Sequence, residues 1–153
     1  VQPGVNTADP DFVVSHIKEA KAMADVVIAQ FHWGAEYQRQ PTSNQVQLAH
    51  LAVESGADLV VGNHPHWWQP AEVYQDTLIM YSHGNFIFDQ MWSTETRQGM
   101  AGKYYFYKGK LLDVEWMPMQ IGAYGQAHWL EGKEKEVLLN EFSEQTFLRK
   151  KND

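Results

Sequence analysis

Apolar and polar positions along the chain fall into two kinds of pattern. Phe12, Val13, Ile17, Ala20 and Met23 recur at helical spacing, so residues 12–24 read as a helix, with Asp9 or Asp11 as its cap. Residues 25–31 (DVVIAQF) are a short, β-branched run typical of a buried parallel strand. A polar loop containing Pro41 leads to a second helix, capped by Ser43, carrying Leu48, Leu51 and Val53, and stopped at Gly56. Residues 58–62 (DLVVG) form a second buried strand. The order α-β-α-β is that of a parallel sheet covered by helices. The pattern then changes to alternation. Residues 71–74, 77–82, 103–107 and 110–117 read as strands, joined by hairpin turns at Gln75-Asp76 and Lys108-Gly109. Residues 120–130 read as a loop and 131–150 as a last helix, with Val137, Leu138, Phe142, Phe147 and Leu148 near one face and the basic 149–151 tail at its end. The fold class is α/β, and residues 1–153 read as a single domain.

Composition narrows the function. A net charge of −7 argues against nonspecific nucleic-acid binding and against an electrostatic grip on anionic lipid. An acidic chain still binds an anion where a metal ion supplies local positive charge. No cysteine is present, which excludes disulfides, thiolate chemistry and Cys-type zinc sites. No run approaches the ~20 apolar residues of a membrane span. The chain opens at Val1 on a turn-like stretch and reads as a piece of a longer protein. Six tryptophans exceed what a core of this size needs, so part of the set is expected at a surface or cleft.

The histidines carry the chemistry. His32 lies just past one predicted parallel strand, and His64 and His66 just past the next. Ligands of open α/β sheets bind at the carboxyl ends of the strands, so all three imidazoles belong to one rim. Two residues at i and i+2 share a face on an extended segment, and Pro65 favours that conformation at His64. Three imidazoles alone suit a single zinc ion with an open position, or no tightly held metal at all. A third strand runs into Ser82-His83-Gly84-Asn85, which places His83 and Asn85 as candidate ligand, proton donor or substrate contact. His16 and His50 sit within predicted helices and read as surface or packing residues, and His128 has no assigned role. Trp33, Tyr37, Trp67, Trp68 and Trp92 lie near the histidines in sequence, as a binding groove or as core.

Four ordered blocks, HWGAEYQ (32–38), ADLVVGNHPHWWQP (57–70), IMYSHGNFIFDQ (79–90) and TRQG (96–99), closely resemble the CapA family of poly-γ-glutamate capsule proteins. That family is similar to the calcineurin-like metallophosphatases, so the resemblance implies the C-terminal portion of a β-sandwich flanked by helices. It implies His32, His64 and His66 as ligands of a dinuclear centre of Mn, Fe or Zn. It implies Glu36 as a residue behind the metal ligands or on the substrate, and Arg97 as the grip on an anionic group, for which a guanidinium fork is suited, while Trp33 beside His32 is a candidate substrate contact. The superfamily's acidic ligands fall in motifs absent from this chain, so half a metal site and an inactive isolated piece are expected. Asn63 and His83 depart from the family's pattern. The activity implied is metal-dependent hydrolysis or transfer on a phosphoester or acyl substrate, the alternative being a non-catalytic polymer-binding or export component. The resemblance further implies an extracytoplasmic, membrane-associated parent working with other capsule-synthesis membrane proteins, and exposed apolar surface predicts self-association of the piece.

Overall fold

A computed structural model describes Gly4 and residues 6–149. Helix α1 spans Pro10–Met23, with Pro10 in its first turn and the Asp9 carboxylate accepting from the backbone N–H of Asp11 and Phe12. Strand β1 (Ile28–His32) follows, and then α2 (Ser43–Glu54). The cap of α2 is Thr42 rather than Ser43: Thr42 and Gln45 bond each other's backbone in a capping box. A Thr-x-x-Gln box satisfies two orphan N–H groups, which a lone Ser43 would not. Strand β2 (Leu59–Asn63) runs parallel to β1 in register, Ile28 beside Leu59 and His32 beside Asn63.

Strands β3 (Trp68–Tyr74) and β4 (Thr77–His83) form the first hairpin. Gln75 and Asp76 both take positive φ, 48° and 64°, as a two-residue turn of the primed type requires. Short helix α3 (Thr94–Arg97) leads into β5 (Gln98–Tyr107), which turns at Lys108-Gly109 into β6 (Lys110–Ile121). The expected loop over 120–130 instead holds a 3-10 turn at Ala123–Gly125 and a strand β7 (Ala127–Trp129) on β6. Helix α4 covers only Gly132–Gln145, and β8 (Phe147–Arg149) then pairs with β3. Arg149 therefore lies in a strand and not at a helix end, and the rest of the basic tail falls outside the described residues. Val137, expected on the buried face of α4, is 58% exposed, while Leu138 and Phe142 are buried.

The described residues form a mixed α/β fold with two sheets: β1-β2-β4-β3-β8 and β5-β6-β7. Strands β1, β2 and β4 run parallel, β3 is antiparallel to β4, and β8 is parallel to β3, so the first sheet is mixed. Strands β2, β3 and β4 are buried on both faces, and the two-residue period divides the core. Val60, Ile79 and Tyr81 point to α1 and α2, packing with Val13, Ile17, Leu48 and Ala52. Leu59, Leu78 and Met80 point the other way, packing with Trp68, Met100, Leu138 and Phe142 against the second sheet and α4. This layering leaves the carboxyl ends of β1, β2 and β4 at one rim.

Candidate metal centre

In-register parallel pairing sets the site. His32 ends β1 opposite Asn63, and the Trp33 N–H donates to the Asn63 carbonyl at 3.1 Å, so His32 and His64 emerge side by side. Their rings are 4.7 Å apart between centroids, and those of His64 and His66 are 6.0 Å apart. The rim expected from sequence is thus present, but His64 is not extended. Its φ is 100° and that of His66 is 62°, because four residues, 64–67, must turn the chain from β2 into the oppositely directed β3. The two rings share a pocket through this bend and not through a strand's alternation.

Among the described residues, six other than glycine have positive φ. Gln75, Asp76 and Lys108 are hairpin-turn residues, whose turn type demands it. The other three, Tyr37, His64 and His66, are all at this site, and no hairpin requires it of them. Backbone held this way costs roughly 1–3 kcal/mol per residue and persists where the surroundings over-determine it, typically at functional sites. The surroundings here are visible: the Tyr37 N–H donates to the Pro65 carbonyl at 2.8 Å, tying the 34–37 loop to the histidine bend. Gly34, at φ +85°, opens that loop beneath Gln45, whose amide a Cβ would meet at 2.4 Å.

That tie brings Glu36 to the histidines. Ligand atoms of Glu36, His64 and His66 lie within 4.8 Å of one another, and Glu36 Oε1 is 3.8 Å from His66 Nε2. His32 adjoins this trio through His64 and is exposed. Two imidazoles and a carboxylate are a donor set suited to zinc, manganese or iron, and the three atoms lie close enough together for one cation to reach all of them. Around them stand Tyr37, with its ring 5.9 Å from that of His66, Phe88 at 5.2 Å, and Trp92, which meets Tyr37 edge-on. Partial burial, then the charge and hydrogen bond of Glu36, raise the pKa of the Tyr37 hydroxyl above its usual range.

Several residues sit elsewhere than sequence placed them. Trp33 is 6% exposed, stacks on Phe31 at 4.4 Å and donates its indole N–H to the Tyr81 carbonyl at 2.9 Å. It is core, because the residue after His32 points to the opposite face of the sheet, toward α2. Trp68 is fully buried against Phe142, with the Arg39 guanidinium 3.7 Å from its ring centroid. His83 is turned to the second sheet: its Nδ1 bonds the Met100 carbonyl and its Nε2 the Tyr104 hydroxyl. Burial holds its pKa below the ordinary histidine value. It lines a cleft of about 240 Å³ with Gly84, Gly99, Met100 and Met119, which does not contain His32, His64 or His66. Asn85, two residues on, does reach the centre, with its Oδ1 at 2.8 Å from His66 Nδ1. Arg97 is half-buried at the end of α3, its Nε donating to the Ser93 carbonyl, and no carboxylate of the described residues pairs with it. His50 is a packing residue, bonded to buried Glu72 at 3.0 Å and stacked on Tyr74, and His16 is exposed against Phe12.

Sequence reasoning missed Gln90, Gln45 and Gln69. Gln90 bonds Asn85 and Tyr37, while Gln69 joins Gln45 to the carbonyls of Gln38 and Gln40 and so braces the loop carrying Glu36. Neutral amides leave no charge pattern, and only their buried position marks them.

Residues 1–90 match a family described as bacterial capsule synthesis protein PGA_cap. The chain is 46% identical over 119 residues to the PGA biosynthesis protein CapA of Bacillus subtilis, covering 78% of this chain and 31% of that protein. It is 38% identical over 124 residues to the capsule biosynthesis protein CapA of Bacillus anthracis, covering 78% and 30%. A probable polyglutamine synthesis accessory protein of Mycobacterium tuberculosis is 29% identical over 79 residues, 52% of this chain and 21% of that protein. The chain thus spans about a third of the length of the two Bacillus relatives.

Proposed function

We propose, from the premise that this chain belongs to the bacterial capsule synthesis protein family, that Glu36, His64 and His66 hold a divalent cation serving metal-dependent hydrolysis or transfer on a phosphoester or acyl substrate. The observation that carries this reading is the convergence of one carboxylate and two imidazoles within 4.8 Å on strained backbone. His32, whose ring lies 4.7 Å from that of His64, would join a second cation where further carboxylates of the whole protein complete the site. A bound Mn, Fe or Zn ion would supply Lewis acidity toward a phosphoryl or acyl oxygen. The chain's own residues would bind and orient: Arg97, without an acidic partner among the described residues, grips an anionic group, and Tyr37 and Trp92 wall the approach.

The relatives' names, PGA biosynthesis and polyglutamine synthesis, support an anionic polymer as the partner; the proposed substrate is poly-γ-glutamate or a phosphoester, handled outside the cytoplasm at the membrane with other capsule-synthesis proteins. A second reading, a polymer-binding or export component without catalysis, is favoured by one observation: His83, the expected proton donor, spends both ring nitrogens on Met100 and Tyr104.

Metal analysis of protein made in metal-replete medium tests the first reading. A divalent ion is expected, and it should be lost from the His64→Ala, His66→Ala variant. Intact protein without metal would sink it. Turnover of a chromogenic phosphodiester by the metal-loaded whole protein separates catalyst from binding component.

A further inference from the structure

The orientation of the Asn85 side-chain amide is settled by its neighbours. Its nitrogen donates to the Thr96 carbonyl oxygen at 2.9 Å, and a carbonyl oxygen only accepts. The same nitrogen donates to Gln90 Oε1 at 3.1 Å. Turning the amide over would set its oxygen against the Thr96 carbonyl oxygen in a buried place, an acceptor against an acceptor. The amide oxygen therefore faces His66 Nδ1 at 2.8 Å and accepts from it. Neutral His66 must then carry its proton on Nδ1, with the lone pair on Nε2. Nε2 is the atom directed to Glu36, on the side of the ring where His64 converges.

The polarity continues beyond Asn85. Gln90 accepts through Oε1 and so donates through Nε2 to the Tyr37 hydroxyl oxygen at 3.3 Å. Tyr37 is the acceptor there, with burial and then the Glu36 carboxylate beside it raising its pKa. His66, Asn85, Gln90 and Tyr37 thus form a chain of hydrogen bonds that all run in one sense, away from His66 Nδ1.

We propose that Asn85, oriented by Gln90 and the Thr96 carbonyl, is a positioning residue that presets His66 in its Nδ1–H tautomer and so presents Nε2 as a ready donor to a divalent cation. The tautomer is a property of this chain alone. Only the cation rests on the functional reading above.

The two are tested separately. In metal-free protein labelled with 15N-histidine, at a pH where the imidazoles are neutral, His66 nitrogen shifts should show protonated Nδ1 and unprotonated Nε2, with the signal assigned by His66→Gln. Asn85→Leu should convert His66 largely to the Nε2–H form that histidine favours in water. Asn85→Asp, which keeps an acceptor for Nδ1 but loses the donation to Thr96, should restore Nδ1–H. Wild-type His66 in the Nε2–H form would overturn the proposal, as would an Asn85→Leu variant still in the Nδ1–H form. Should the Leu variant not fold, the wild-type shifts and the Asp variant decide. With Zn²⁺ as probe, Asn85→Leu should bind about 10–100-fold more weakly and the Asp variant should recover most of the loss. Zn²⁺ binding unchanged in Asn85→Leu overturns the positioning role and leaves the metal centre. A Nδ1–H His66 in a protein that takes up no metal supports the tautomer lock and removes the metal centre.

Discussion

At the scale of single residues, neighbours in sequence part company across the sheet. His32 looks out from the rim and Trp33 looks into the core. Trp33→Phe removes the donor to the Tyr81 carbonyl, and a buried group left unpaired costs about 1–3 kcal/mol. Urea unfolding should show that loss while Zn²⁺ affinity stays at the wild-type value; a fall in affinity without loss of stability would return Trp33 to the site. Gly62 lies beneath the same indole, and a Cβ there would meet the Tyr81 carbonyl at 2.1 Å and the indole nitrogen at 2.3 Å. Gly62→Ala is accordingly expected to destabilise by about 1–3 kcal/mol in the same assay. His83 has a different signature. Burial lowers its folded pKa below the ordinary value of 6.5, so below that pH the unfolded chain binds the extra proton first. Its contribution is complete above about 6.5 and is lost as pH falls toward the lowered folded value. His83→Gln should flatten the acid side of the stability–pH profile between those limits, and an unchanged slope would show that His83 does not carry it.

At the scale of elements, the informative pieces are a cap and a loop. The box at Thr42 closes the first turn of α2, and its Gln45 partner also reaches Gln69, which holds the backbone at Gln38 and Gln40. Thr42→Ala should cost about 1 kcal/mol of stability by thermal or urea unfolding. The same variant should loosen the 34–42 loop, seen as faster amide exchange at Tyr37, whose N–H the Pro65 carbonyl otherwise protects. Exchange as slow as in the wild type would mean that the Gln45–Gln69 bond alone holds the loop. The hairpins at Gln75-Asp76 and Lys108-Gly109 were legible because turn chemistry is local. The ends of α4 and the β7 and β8 strands were not, since three-residue strands exist only by pairing with β6 and β3.

For the whole molecule, β1 is an edge of the larger sheet, and its outer face is bare: Ile28 is 52% exposed beside exposed Gln30 and His32. An uncovered edge with an apolar residue is a template for pairing with another chain. Sedimentation velocity should show concentration-dependent association of this 153-residue chain that Ile28→Lys reduces. A monomer at all concentrations would show that the edge is protected as it stands.

Sequence alone determined the α-β-α-β opening, because amphipathic helices and buried parallel strands write distinct periods into the chain. It determined the hairpins through their turn residues, and the rim position of His32, His64 and His66 through the rule that loops after parallel strands gather at one end of the sheet. Tertiary structure alone decided which atoms meet there. Glu36 joins His64 and His66 because a hydrogen bond between two loops, Tyr37 to Pro65, folds one over the other. His83 leaves the rim and Asn85 enters it because the chain turns between them at Gly84, φ +73°, which a two-residue spacing does not encode. Strand ends follow from local pattern, whereas side-chain directions at loops depend on partners distant in sequence.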